Sequence, residues 1–228
     1  MLVALQRKLR QEGYFAEISE PNLLEFLDLV ALGTICDIVP LVGLNRAYVS
    51  TGLKMMSKTE NIGIKALANV ANLNLTEVKE YHLGFVLGPR INAGGRVGES
   101  YLGARLLSTD DKTEAYNIAN KLEIYNAERK ALEVEILEKS IALIEEKKLY
   151  QNPVIIISNL DTKDDWHIGV IGIVAARIKE KYNLPVAVVS FTKGVGKASC
   201  RSIKNVDFGS VIVRAKQENL LIDGGGHK

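Results

Sequence analysis

The sequence predicts an α/β protein in three parts: a helical region over 1–109, a single long helix over 110–150, and a small α/β domain with a mixed sheet over 151–228. Three observations carry this. Apolar residues recur at helical spacing through the first half. No Gly or Pro interrupts residues 110–150. After Pro153 the texture changes to a short apolar, β-branched run, Val154-Ile155-Ile156-Ile157, the composition of a buried strand.

Taken in order, Leu2 to Arg10 reads as part of an amphipathic helix with no N-cap of its own. Asn22 caps a strongly apolar helix over 22–35. Pro40 disfavours a helical Val39, so that helix ends near Asp37. A second helix runs from Asn45 to about Lys58, and shorter ones occupy 62–72 and 76–87, the last with Thr76 as cap. Gly88 to Gly98 reads as a glycine-rich loop holding Arg90 and Arg96, and 100–107 is helical again. Asp111 with Glu114 three residues on suggests a capping box for the long helix. Ile118, Leu122, Tyr125, Leu132, Ile136 and Leu143 then keep helical spacing. At 1.5 Å per residue this helix could reach about 50 Å, the length of a connector between domains. In the last part, a strand near 154–157, a helix over 169–182 and a strand over 186–191 form a right-handed parallel crossover. Gly194-Val195-Gly196 turns into a strand over 197–203. A helix over 208–218 and a final buried strand at Leu220–Ile222 follow, the latter leading to Gly224-Gly225-Gly226-His227.

With 228 residues, 47% of them hydrophobic, the chain can bury ordinary cores. Its net charge is only +2, but the last 78 residues carry 11 basic and 7 acidic side chains, a balance that suits a polyanion or a plain solvated surface. Cys36 and Cys200 belong to no C-x-x-C pattern and fit free thiols in a reducing, cytoplasmic setting. No apolar run approaches the roughly 18 residues of a membrane helix. No P-loop, zinc-ligand spacing or nucleophile triad is visible.

Several residues could carry chemistry. Asp37, flanked by Ile35, Ile38 and Val39, either makes a local helix-end hydrogen bond or ligates a hard divalent cation, and one carboxylate cannot hold a metal alone. Arg90 and Arg96 either pair with nearby acids or grip phosphate in bidentate fashion, and Asn92 between them could hold the turn. Trp166 either stacks on a base or plugs the gap between strand and helix, and His167 beside it sits where a helix begins and anions are attracted. Ser199 and Arg201 fall on one face of a strand, with Ser202 next to them, which suits a phosphate chain or a polar edge face equally. Gly225 and Gly226 would let a phosphate approach bare backbone, with His227 delivered beside them. His82, among Tyr81, Leu83 and Phe85, reads as structural.

The ordered set Gly33-Thr34-Ile35-Cys36-Asp37-Ile38-Val39-Pro40-Leu41, Pro89-Arg90-Ile91-Asn92-Ala93-Gly94-Gly95-Arg96, Trp166-His167-x-Gly-Val-Ile-Gly, Ser199-x-Arg201-Ser202 and Gly-Gly-Gly-His resembles the RecJ family of DHH phosphoesterases across nearly the whole chain. The resemblance implies a 5′→3′ single-stranded-DNA exonuclease of repair and recombination that hydrolyses phosphodiesters with two Mn²⁺ or Mg²⁺ ions. It implies the helical rear of a DHH domain, a connector helix and a DHH-associated domain that binds the strand. Asp37 matches a metal-ligating aspartate. Arg90 or Arg96 matches the loop that meets the terminal phosphate, and Ser199, Arg201, Ser202 and His227 match the strand-binding face. The Asp-x-Asp-Gly and Asp-His-His motifs are absent from the sequence, so the expectation is a part of a longer protein that lacks its amino-terminal DHH segment and is inert by itself. Other DHH phosphoesterases, acting on oligoribonucleotides or cyclic dinucleotides, and a non-catalytic single-strand-binding module are the competing readings.

Overall fold

In the computed structural model, residues 1–160, 162 and 164–226 are described. The chain forms two compact units. One comprises Met1–Asn92 with Tyr101–Glu123, and the other Ala93–Ser100 with Ile124–Lys228. The long helix expected over 110–150 is α8 (Lys112–Glu146), and it gives side chains to the core of each unit. Ala115, Ile118, Ala119 and Leu122 are buried in the first unit, and Ile136, Leu143 and Ile144 in the second. As expected, Asp111 caps it, accepting from the amides of Thr113 and Glu114 at 2.7 and 3.1 Å. The Glu114 carboxylate does not complete the box; it is taken by Arg105 and Thr109.

The first unit is helical. After α1 (Leu2–Gln11), Asn22 caps a 3₁₀ turn at Leu23–Phe26, accepting from the Leu24 amide at 3.2 Å, and the chain continues into α2 (Leu27–Cys36). α3 (Gly43–Met56) packs tightly on α2. A Cβ at Gly52 would lie 2.1 Å from the Leu27 carbonyl oxygen, so only glycine permits this approach. Asn61 caps α4 (Ile62–Val70) through the Ile64 amide and ties it to the Leu107 carbonyl at 2.9 Å. α7 (Leu102–Ser108) packs against α4, and Leu67, Leu83, Leu87 and Leu106 are fully buried. Each such side chain contributes about 1.5–3 kcal/mol by leaving water.

Residues 74–98 depart from expectation. Asn74, not Thr76, caps a 3₁₀ turn at Leu75–Glu77. The chain then runs through α5 (Glu80–His82), a π turn at Leu83–Leu87 and α6 (Gly88–Val97). The glycine-rich stretch is therefore a helix and not a loop. Pro89 has no amide to donate, and the wider turn just before it accommodates its ring. Two of the glycines serve packing: a Cβ at Gly88 would meet Cys36 Sγ at 2.6 Å, and one at Gly98 would meet the Tyr125 ring at 2.3 Å. His82 is structural, as read; its Nδ1 accepts from the Lys79 amide at 3.0 Å.

The second unit is built on a three-stranded mixed sheet in the order β1 (Ile155–Ser158), β2 (Val186–Thr192), β3 (Val195–Arg201). β1 and β2 are parallel, joined through α9 (Ile171–Tyr182), and β2 and β3 are antiparallel. Ile155, Ile157, Val186 and Val188 pack with Val174, Ala175 and Ile178 of α9 and with Ile136 and Ile144 of α8. The hairpin turns at Lys193-Gly194, both with positive φ, so β3 begins two residues earlier than the glycine pattern suggested. Asp207 caps α10 (Phe208–Gln217). Leu220–Ile222 is no strand: these residues form bends, with Leu220 and Ile222 largely exposed. Asn219 turns the chain with a φ of 59°, and a three-residue run between that turn and Asp223-Gly224 is too short to join the sheet.

Candidate functional site

The second unit collects most of the expected site residues. Arg96 comes at the end of α6, where it donates through Nη1 to the Gly169 carbonyl at 3.1 Å. The two backbones meet closely; a Cβ on Gly169 would fall 2.0 Å from the Arg96 carbonyl oxygen. The loop carrying Gly169 is pinned from the sheet side. The side chain of buried Asn159 donates to the carbonyls of Asp164 and Phe191 at 2.9 and 3.1 Å and accepts from the Phe191 amide at 2.7 Å. Ser190 donates to the Trp166 carbonyl at 2.6 Å. Exposed His167 then accepts from the Gly169 amide through Nδ1 at 3.2 Å, and its carbonyl receives the Val170 amide as the chain turns into α9.

β3 supplies the facing wall. Ser199 and Arg201 share a face, and Arg201 Nη1 donates to Ser199 Oγ at 3.3 Å. Both lie over the first turn of α9: a Cβ at Gly172 would be 3.2 Å from Ser199 Oγ and from Arg201 Nη2. Arg96, His167, Gly172, Lys197 and Ser199 thus line an open cavity of about 580 Å³. A second cavity of about 580 Å³ shares Ala198 and Ser199 with the first in its lining and is also lined by Arg201, Ser202, Phe208, Gly225 and Gly226. Burial, and then the charges of Arg129 and Arg201, hold the Arg96 guanidinium below its ordinary pKa, with Glu133 opposing. Bare backbone, a helix start and several cations around one hollow make a place for an anion.

Other expected residues are placed differently. Trp166 is 3% exposed and belongs to the core behind the cavity, so it plugs the strand–helix gap and is not free to stack on a base. Arg90 is ion-paired with Glu123 and donates to the Val86 carbonyl at 2.7 Å; its side chain is 13% exposed, a structural pair in the first unit. Asn92 is an exposed helical residue of α6, not the anchor of a turn. Ser202 gives its proton to the local carbonyl of Val206 while lining the second cavity. His227 lies outside the described residues.

Asp37 is the exposed C-cap of α2. The next residue, Ile38, has a φ of 53°; its amide donates to Ile35 and that of Val39 to Thr34, closing the helix with a left-handed cap. Burial, with Asp37 adding, pushes the neighbouring Cys36 thiol up to about 11. Among the described residues no three His, Cys, Asp or Glu side chains come together as a ligand set, so these residues do not by themselves fit a two-metal centre. Sequence reasoning passed over Arg129, Glu133 and Asn159. A helical i,i+4 Arg–Glu pair looks like any solvated pair until its burial is known.

Residues 147–228, which include the three-stranded sheet, match the DHHA1 domain model, and Gly95 and Arg96 of the first cavity lie outside that stretch. Over its whole length the chain is homologous to RecJ exonucleases. It is 36% identical over 236 residues to the single-stranded-DNA-specific exonuclease RecJ of Haemophilus influenzae and 38% identical over 234 residues to that of Escherichia coli. In both cases 100% of this chain is matched and 40% of the relative, so the chain spans about two fifths of their length. Among solved structures, RecJ of Thermus thermophilus in complex with Mn²⁺ matches with a TM-score of 0.77 at 35% identity, covering 95% of this chain and 30% of that one. The same protein in complex with Mg²⁺ matches with a TM-score of 0.74. No helix among the described residues is long and apolar enough to cross a membrane.

Proposed function

We propose that this chain is the strand-holding part of a RecJ-type 5′→3′ single-stranded-DNA exonuclease, a cytoplasmic hydrolase of DNA repair and recombination that works with Mn²⁺ or Mg²⁺. One observation supports this above the others: Arg96, His167, Lys197 and Ser199 converge on one cavity, and Ser199 also lines a second cavity together with Arg201 and the glycines Gly225 and Gly226. The strand's terminal phosphate takes the cavity. Arg96 and Arg201 supply forked donors, the Ser199 hydroxyl adds a third, and Gly172 leaves space where a side chain would intrude. These groups bind and orient the strand, a positional and electrostatic role. Asp37 contributes one metal ligand in the whole enzyme, the rest coming from outside the described residues, and the chain alone does not hydrolyse DNA.

Fluorescence anisotropy with a labelled single strand tests the reading. The 5′-phosphorylated strand binds about tenfold more tightly than its 5′-hydroxyl counterpart, and Arg201→Ala abolishes that preference, the scale of one charge-assisted contact. The strand stays intact when Mn²⁺ is added. Equal binding of the two strands, or release of mononucleotides, would overturn the corresponding part of the proposal.

A further inference from the structure

The chain enters α9 through His167, whose backbone and ring are both held. Its carbonyl receives the amides of Val170 and Ile171 at 2.9 and 3.3 Å, and its Nδ1 accepts from the Gly169 amide at 3.2 Å. The residues on either side are fixed as well. Trp166 is buried, and its carbonyl is held by Ser190. Gly169 is pressed against the Arg96 backbone, and its carbonyl takes the Arg96 guanidinium. A backbone amide can only donate, so Nδ1 presents a lone pair, the ring is neutral and its proton lies on Nε2. His167 is exposed and lines the first cavity, and among the described residues Nε2 meets no protein partner.

This tautomer narrows what the ring can do. One lone pair is given to Gly169 and the other nitrogen carries the proton, so none is left for a metal ion or for accepting a proton from water. What remains is one directed N–H donor. The described residues that line the cavity include Arg96, Lys197 and Ser199 and no carboxylate, so no anionic side chain there competes for that donor. We propose that His167 is a binding residue of fixed tautomer: its Nε2–H donates to an oxygen of the anion in the cavity, and the Gly169 amide dictates which nitrogen carries the proton. That the anion is the strand's terminal phosphate rests on the function proposed above. A neutral N–H donor to an anionic oxygen makes a charge-assisted bond, and the imidazole changes no charge in making it.

Substitution separates this role from that of a plain cap for the turn. Asparagine supplies an acceptor for an amide two residues on, as Nδ1 does, but ends short of the Nε2 position. In the 228-residue chain, His167→Asn therefore keeps the urea midpoint and weakens binding of a 5′-phosphorylated single-stranded oligonucleotide about tenfold, the scale of a hydrogen bond to a charged group. His167→Ala loses both bonds, so its midpoint falls as well. A His167→Asn variant that binds like the wild type would overturn the inference and leave His167 a cap. Long-range ¹H–¹⁵N correlation spectra of the unsubstituted chain decide the matter should the variants not fold. They are expected to show Nε2 protonated and Nδ1 bare, with the Nε2 signal moving when the oligonucleotide is added. A ring protonated on Nδ1, or an Nε2 signal that stays in place while the strand binds, refutes the inference. Failure of the wild type to bind the oligonucleotide sinks the functional reading instead. The same spectra recorded with inorganic phosphate then judge His167 alone: a shift of the Nε2 signal upholds the donor, and an unmoved signal removes it.

Discussion

Ile38 carries a left-handed backbone at the end of α2, a conformation its β-branched side chain resists. It is 88% exposed, so packing gives nothing in return. The helix closes there because the Val39 amide reaches back to Thr34 and Pro40 forbids a further turn. Such strain is held where the surroundings over-determine it and is found often at functional positions. Here it fixes the direction in which the chain leaves Asp37. Ile38→Gly relieves the strain, and since no contact is lost it stabilises the first unit by about 1 kcal/mol, the cost of one left-handed non-glycine residue. Urea unfolding should show a higher midpoint at unchanged slope. A lower midpoint would mean that the isoleucine side chain contributes more than its exposure allows. The residue scale also shows where identity misleads: Arg90 and Arg96 stand six apart in one motif, yet one pairs with Glu123 and the other lines the cavity. Only their neighbours, distant in sequence, separate the two.

At the scale of elements, the sequence shows what depends on local chemistry. The end of α2 follows from Pro40, the start of α8 from Asp111, and the β1–α9–β2 crossover from β-branched runs on either side of a helical pattern. What it hides depends on partners. Gly88 to Gly98 contains four glycines and reads as a loop, because glycine is a poor helix former; the gain that outweighs this is close packing on Cys36 and Tyr125, invisible without the fold. Leu220–Ile222 fails in the opposite sense, a strand-like composition with too few residues to pair. Gly169 joins both lessons to the site. It was legible as part of a motif, but its purpose is to let the loop before α9 touch the end of α6. Gly169→Ala places a Cβ 2.0 Å from a backbone oxygen that cannot swing aside. The variant should be destabilised by about 1–3 kcal/mol, and it should lose affinity for phosphorylated single strands even where it remains folded, because Arg96 is displaced. Wild-type affinity in a folded variant would show that the contact between Arg96 and Gly169 does not position the site.

For the molecule as a whole, charge distribution says more than net charge. Residues 110–150 hold 7 basic and 10 acidic side chains, whereas residues 151–228 hold 11 and 7, so the excess of positive charge lies in the stretch that matches the DHHA1 model and supplies most of the lining of both cavities. An even spread would give weak, unlocalised attraction. A local excess around Arg96, Lys197 and Arg201 lets a polyanion displace its counterions at a defined place. For single strands the logarithm of affinity falls with the logarithm of salt concentration by about 0.7 per phosphate neutralised, so contacts through these three side chains give a slope of about −2. Arg201→Ala then lowers the affinity and also flattens the slope by about 0.7, whereas a substitution that only loosens the fold lowers affinity at an unchanged slope. Titrations of a labelled single strand at several potassium chloride concentrations measure both quantities. A slope near zero in the wild type would mean that these side chains do not meet phosphates, and a slope unchanged in Arg201→Ala would remove Arg201 from the strand's path.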